Sequence, residues 1–415
     1  MELNEIFKKV KAASRTLSSI DDDKRNEVLL KLADLLEANR DMLLEANKRD
    51  LDKMSEDNPL YDRLKLTEER IAGIAGDIRN VATLPSPVGE VLEERILPNG
   101  IRLKKVSVPF GVIGVIYEAR PNVTIDVFSI CFKSGNACIL KGGKDAEESN
   151  LAAMEIIHRA LREEGVSENV AELLPATHDA TAALLNAVGY VDVCIPRGGR
   201  KLIDFVRDNA KVPVIETGAG VVHLYFDDYA DYNVGIKCVA NSKLRRPSVC
   251  NALDTLLVHQ DRIWNLPELT APLAEKRVEL HVEPCAMEIL KNYYPNELLV
   301  PAREEDWDTE WMDYKMGIKI VASIDDAIEH IAKHGSGHSE SIITMAPIFA
   351  EKFQREVDAS CVYVNLPTSF TDGAQFGLGA EIGISTQKLG ARGPMGLREM
   401  TTYKYLLEGE GQVRS

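Results

Sequence analysis

From Gly111 onward the chain alternates short apolar runs of strand length with longer helical stretches, and no other feature constrains its fold as strongly. The runs read GVIGVIY, ACILK, VAELL, VDVCI and PVIE, with helix-like segments near residues 123–134, 146–164, 178–188 and 200–209 between them. A strand that rejoins its sheet in parallel needs a crossover helix of this kind, so the pattern predicts an α/β fold with a mainly parallel, doubly wound sheet. Ligands of such sheets gather at the carboxyl ends of the strands. The residues expected there are Tyr117 to Asn122, Lys141 to Lys144, Arg197 to Gly199 and Glu216 to Gly220. A second α/β set follows in VVHLYF, LDTLLV, ELHVE, GIKIVA, SIITM and CVYVN, with helices near 231–243 and 266–276.

The flanks read differently. Val28, Leu32, Leu35 and Leu36 form one helical apolar stripe and Ile71, Ile74, Ile78 and Val81 another, so the first 84 residues are expected to be helical. Ser19 and the aspartates at 21–23 suit a helix start. After Pro85-Ser86-Pro87, the arms VLEERIL and IRLKKVSV flank Asn99-Gly100, a hairpin signal. Such an arm has little to bury itself against and is expected to pack on another subunit, with the tail run TTYKYLLE able to pair with it. At 415 residues the chain is long for one core. The expected division is 1–220 with the arm at 91–108, 221–370, and 371–415 for a C-terminal return. A net charge of −16 argues against nucleic acid or an anionic membrane as partner. No apolar run approaches the roughly 20 residues that cross a bilayer, and the N-terminus reads as an amphipathic helix instead of a signal peptide. Seven cysteines at scattered spacings, without a CxxC pair, fit a reduced cytoplasm.

Three pieces could carry chemistry. The strand-like VDVCI runs into Arg197-Gly198-Gly199 and opens a helix, which reads either as a plain turn or as a cradle aiming backbone N–H groups at a phosphate. Glu216 follows an apolar run and precedes Gly218 and Gly220; it is either an exposed strand-end charge or a site carboxylate. Cys250, in Ser-Val-Cys-Asn ahead of LDTLLV, is either a small buried hydrophobe or a nucleophile. Asn122 reads as the N-cap of the helix that follows it. His330, His334 and His338 have the spacing of zinc ligands, but Gly335 and Gly337 are expected to end the helix before His338 and no His-Glu-x-x-His occurs, so no metal is expected. Arg120, Arg197, Arg200, Arg245, Arg246 and Arg392 are basic residues near these segments that an anionic substrate could meet.

The order Gly-turn, Glu-x-Gly, Cys resembles the aldehyde dehydrogenase superfamily. The segments AIEHIAKHGSGHSESI and FGLGAEIGISTQKLGARGPMGLREMTTYKYL are more specific, and the likeness, from roughly residue 5 to 410, is to the branch that reduces γ-glutamyl phosphate in proline synthesis. The resemblance implies an aldehyde dehydrogenase-like fold, with a cofactor domain, a catalytic domain and an oligomerisation arm. The implied reaction is NADPH-dependent reduction of γ-L-glutamyl 5-phosphate to glutamate 5-semialdehyde with release of phosphate, through a thioester on Cys250. Another aldehyde or acyl-CoA dehydrogenase of the same scaffold is the competing reading. Asn122 then corresponds to the residue that donates to the oxyanion. Lys141 corresponds to a lysine that contacts the adenosine ribose. Lys144 stands where NAD-preferring relatives often have glutamate, which favours NADP(H). Arg197, Gly198, Gly199 and Gly218 are placed at the cofactor. Glu216 matches a carboxylate that activates water in aldehyde-oxidising relatives, but Thr217 and Ala219 depart from the usual motif, and an enzyme that keeps its thioester for reduction has no use for efficient hydrolysis. A homodimer or higher homo-oligomer is implied, and association with a glutamate kinase is raised.

Overall fold

The computed structural model describes residues 3–414 except Asp57, Pro59, Leu60 and Ala119. The chain divides into two compact units: Met1–Thr217 with Gly377–Gly383 and Met395–Ser415, and Gly218–Phe376 with Ile384–Pro394. The segment after residue 370 is therefore not a unit of its own; it is shared between the two.

The first unit opens with α1 (Leu3–Ser14), α2 (Asp22–Ala38), α3 (Arg40–Leu51), α4 (Tyr61–Leu64) and α5 (Glu68–Thr83). Asp21 caps α2 by accepting from the Lys24 N–H, with Asp22 and Asp23 in the first turn. Both expected stripes are buried, Val28, Leu32 and Leu36 on α2 and Ile71, Ile78 and Val81 on α5. Next come β1 (Val91–Ile96) and β2 (Arg102–Pro109), an antiparallel hairpin turned at Leu97 to Ile101. Gly100 sits there at φ +84°, a left-handed conformation that glycine adopts without strain. The tail strand Thr401–Glu408 pairs antiparallel along the other edge of β2. Strand β1 is exposed along its whole length.

The sheet of this unit is β3 (Val112–Tyr117), β4 (Ala137–Lys141), β5 (Ala171–Leu173) and β6 (Val193–Arg197), all parallel in the order β5-β4-β3-β6. The crossovers are α6 (Pro121–Lys133), α7 (Glu147–Glu163) and α8 (His178–Leu185), and α9 (Arg200–Asn209) follows β6. Every residue of β3 is buried, as a central parallel strand covered on both faces requires. The run Pro213–Glu216 does not form the expected strand. It makes one isolated parallel bridge, Val214 to Cys194, in which the Pro213 carbonyl accepts from the Cys194 N–H and the Ile215 N–H donates to the Cys194 carbonyl, and Pro213 has no N–H to extend the ladder.

The second unit is a seven-stranded parallel sheet in the order β10-β9-β11-β8-β7-β12-β13. Its elements are β7 (His223–Phe226), α10 (Tyr232–Leu244), β8 (Thr255–His259), α11 (Leu266–Glu275), β9 (Glu279–Val282), α12 (Pro284–Leu290), β10 (Leu299–Pro301), β11 (Lys315–Val321), α13 (Ile324–His334), β12 (Ser339–Ile343), α14 (Pro347–Glu356) and β13 (Cys361–Val364). Alternation along β7 and β8 splits the core in two: Leu224, Phe226, Leu256 and Val258 belong to one cluster, Tyr225 and Leu257 to the other. Among the described residues no helix is long and apolar enough to cross a membrane.

Candidate active site

The first unit offers a cleft of about 220 Å³ at the ends of β4 and β5, lined by Gly142, Gly143, Glu147, Asn150, Leu174 and Pro175 among others. Its floor is built from polar packing. The Tyr117 hydroxyl hydrogen-bonds Thr124 at 2.7 Å and the Thr124 hydroxyl donates to Asn150 at 2.8 Å. A Cβ on Gly142 would collide with the Asn150 amide, so only glycine lets the chain pass over this network. Lys141 is half-buried at the end of β4. Burial lowers its pKa, and the charge of Glu147 opposes that shift. Lys144, expected to face the cofactor, is exposed at the start of the short turn Lys144–Ala146 and is not among the residues that line the cleft; the carboxylate of Glu147 is.

The Arg197-Gly198-Gly199 turn leads from β6 into α9 as expected. What faces it was not foreseen. The Gly199 N–H donates to the Glu118 carboxylate at 3.0 Å, and a Cβ on Gly198 would meet that same carboxylate at 2.7 Å. A carboxylate at a helix N-terminus is electrostatically favourable. The chain thus supplies its own anion at this turn. The signal was legible in principle, since Glu118 directly follows β3, whose last residue pairs with Arg197 at the end of the strand that precedes the glycines.

Asn122 is not a helix cap. Proline is favoured in the first helical position, so α6 starts at Pro121 and Asn122 lies inside the first turn, with Arg120 at the cap. Its Nδ2 donates to Asp126 at 2.7 Å, which fixes the amide and leaves one N–H for another acceptor. Burial pushes the Asp126 carboxyl up to about 6, Asp77 adding to the shift while the Asn122 hydrogen bond and Arg197 oppose it. Glu216 also belongs to the first unit, and its carboxylate lies 3.7 Å from the Arg207 guanidinium of α9.

Cys250 belongs to the second unit, in the loop between α10 and β8. Five of the seven cysteines are buried; Cys285 is exposed, and Cys250 is half-buried. The loop around Cys250 is tightly held. The Asn251 amide donates to the Ser369 and Thr371 carbonyls at 3.4 and 2.9 Å, and the Thr368 hydroxyl donates to the Asn251 carbonyl at 2.7 Å. Leu253 N–H donates to the Ser242 carbonyl at 3.1 Å. Arg245 and Arg246 are exposed in the same loop. Gly218, expected at the cofactor, instead packs against Thr386, and its N–H donates to the Ile384 carbonyl at 3.1 Å. Arg392 pairs with Asp358 at 2.7 Å and the exposed Arg200 with Asp204 at 3.9 Å.

The rings of His330 and His334 lie 4.5 Å apart, but among the described residues the histidines of the AIEHIAKHGSGHSESI segment belong to no group of three close enough to share an ion. Helix α13 ends at His334, and the His334 ring pairs with Asp308 at 2.8 Å. His330 packs edge-on against His223 and Trp307. His338 lies beyond the helix, hydrogen-bonded to Ser339. Among the described residues, the group close enough to share an ion is Asp228, His259 and Asp261, away from this motif in sequence.

Residues 1–286 match the family model described as the aldehyde dehydrogenase family. The chain is 57% identical over 414 residues to gamma-glutamyl phosphate reductase of Bacteroides fragilis, covering all of both proteins. It is 57% identical to the protein of the same name from Chlorobium chlorochromatii, covering 97% of this chain and 96% of that one. The crystal structure of gamma-glutamyl phosphate reductase from Thermotoga maritima superposes with a TM-score of 0.96 at 43% identity, over the full length of both chains. The chain belongs to the aldehyde dehydrogenase family, in the branch of the gamma-glutamyl phosphate reductases.

Proposed function

We propose that this chain reduces γ-L-glutamyl 5-phosphate to L-glutamate 5-semialdehyde with NADPH, releasing phosphate, as a step of proline synthesis from glutamate. The observation that carries the reading is the Cys250 loop: a half-buried thiol held by side chains from distant segments, in a chain 57% identical end to end to proteins named for this reaction. A thiolate is both a strong nucleophile and a competent leaving group. In this reading the Cys250 sulfur bonds to the acyl carbon as the carbon–oxygen bond to phosphate breaks, giving an acyl thioester and free phosphate. A bound nicotinamide cofactor supplies the hydride that takes the thioester to the aldehyde level. Asn122 holds its position through Asp126 and offers its second N–H to the developing oxyanion. Arg245 and Arg246 meet the substrate phosphate or carboxylate.

The first unit fits a nucleotide on two counts, the cleft of about 220 Å³ and the glycine that lets the chain at its edge lie directly on Asn150. Lys141 would meet the adenosine ribose and the Arg197-Gly198-Gly199 turn the pyrophosphate, in exchange for Glu118. NADPH over NADH rests on Lys144, with Glu147 acting against a 2′-phosphate. Glu216, beside Arg207, is not required as a base. The exposed arm, with Ile96 76% and Leu407 58% exposed, would be covered in a homodimer or larger homo-oligomer. Seven cysteines with no disulfide among them support a reducing compartment, the cytoplasm.

The test is the reverse reaction, NADP⁺ reduction by glutamate 5-semialdehyde, with phosphate or coenzyme A as acyl acceptor. Dependence on phosphate supports the reading. Dependence on coenzyme A would assign the chain to the acyl-CoA branch of the scaffold.

A further inference from the structure

The segment entering β7 has an unusual way of satisfying its backbone. Residues 220 to 223 donate four successive N–H groups to side chains, where a strand would use neighbouring backbone. Gly220 donates to Glu310 at 2.9 Å, Val221 to the Ser336 hydroxyl at 2.9 Å, Val222 to Asp254 at 3.2 Å, and His223 to Glu340 at 2.9 Å. Asp254 accepts from Trp311 N–H with its other oxygen, at 3.0 Å, and so ties this segment to the one that carries Glu310. The acceptors come from four places in the second unit, and Ser336 and Glu340 are the polar core of the HGSGHSE motif that the proposed chemistry does not use. Four donors pinned in succession leave the segment little freedom to shift.

What rests on it is the nucleophile's own backbone. A Cβ built on Gly220 would overlap the Cys250 carbonyl oxygen and crowd the Cys250 Cα, so the two chains cross with no room for any side chain. Gly220 has no positive φ that would require glycine; close approach alone does. We propose that residues 220–223 are a strap on which the Cys250 loop is seated, with Gly220 as the point of contact and Glu310 and Ser336 as positioning residues for the thiol. This rests on the reading of Cys250 as the nucleophile and adds to it a function for the second glycine after Glu216 and for the histidine-rich motif.

Gly220→Ala tests the contact. The expected result is a fall in kcat of about 100-fold, the cost of a displacement on the order of 1 Å at a reacting group, with NADPH affinity unchanged because the cleft lies in the first unit. Alkylation by iodoacetamide, mapped by peptide mass spectrometry, reads the thiol directly: Cys250 should react faster relative to exposed Cys285, while Cys238 and Cys361, buried in the same unit, stay unlabelled unless the unit opens. Glu310 gives an independent readout if Gly220→Ala folds poorly. Glu310→Gln keeps an oxygen acceptor for the Gly220 N–H and should stay near wild type, whereas Glu310→Ala should lose about 10-fold in kcat. Wild-type kcat and labelling in Gly220→Ala would overturn the strap, and so would equal losses in Glu310→Gln and Glu310→Ala, because Glu310 would then act by its charge. Turnover in Cys250→Ser would instead overturn the underlying reading, whatever Gly220→Ala does.

Discussion

The two units hold their working loops in opposite ways. In the first, the ends of β4 and β5 leave an open cleft, and the loops there present a half-buried ammonium, a carboxylate and a glycine turn capped by Glu118. In the second, the thiol loop is fixed from several directions: Asn251 and Thr368 clamp one side, and the pinned segment 220–223 lies against the other. A mobile ligand that must enter and leave calls for exchangeable contacts. A nucleophile that must meet an acyl carbon at the right angle calls for backbone that cannot drift.

The sharpest way to break this contrast is at the thiol. Cys250→Ser should lose at least about 10⁴-fold in turnover, since an alkoxide is hard to form near neutral pH. Equilibrium binding of NADPH should persist, because its groups lie in the other unit; loss of both would mean the units are not independent in their roles. Next in size is the Asn122–Asp126 pair of the first unit. Asn122→Ala should cost about 10²- to 10³-fold in kcat, and Asp126→Asn less, with the acid limb of the kcat profile near pH 6 removed. Glu216→Gln should leave the phosphate-dependent rate nearly intact. If it fell as far as Asn122→Ala, Glu216 would be a required base.

Much of this architecture was legible in advance. Short apolar runs placed most strands of both sheets, helical spacing placed the crossovers of the first unit with α10 and α11 of the second, and Asn99-Gly100 marked the hairpin, because those signals are local; β10, α12 and α14 went unread. Pro213–Glu216 misled for a local reason too: the apolar run was right, but Pro213 cannot join a ladder. For Asn122 the signal was present and outweighed, since Pro121 already marked where α6 begins. Lys144 is exposed in the short turn before α7 while Glu147, three residues on, lines the cleft, a difference that residue spacing does not report. The strap was illegible. Glu310, Ser336 and Glu340 reach residues 220–223 only through the order of the strands, and no pattern in the chain foretells which N–H groups they will meet.

The two units should also differ in acid. His338 is fully buried in the second unit, and burial holds its imidazole neutral down to about 4 against an ordinary 6.5. Between those values the unfolded chain takes up a proton that the folded chain refuses, so stability falls as pH drops through the window, by on the order of 2–3 kcal/mol. His338→Gln should therefore narrow its stability deficit against wild type as pH falls from 6.5 toward 5, measured by urea unfolding. A deficit independent of pH would remove His338 as the cause. A more modest effect lies at the cleft. Lys144→Glu should shift kcat/KM from NADPH toward NADH by about 10-fold, and Glu147→Gln should shift it the other way by less. An unchanged ratio in Lys144→Glu would leave the exposed lysine without a part in cofactor choice.

The central claim, acyl transfer through Cys250 to phosphate, is tested most directly by trapping the acyl enzyme. Wild-type protein is mixed with glutamate 5-semialdehyde and NADP⁺ without phosphate, and the Cys250 peptide is examined by mass spectrometry alongside NADPH absorbance. The account predicts a burst of about one NADPH per chain, a glutamyl adduct on Cys250, and continuous turnover once phosphate is added. Continuous NADPH formation without phosphate, or an adduct on any other residue, would contradict it.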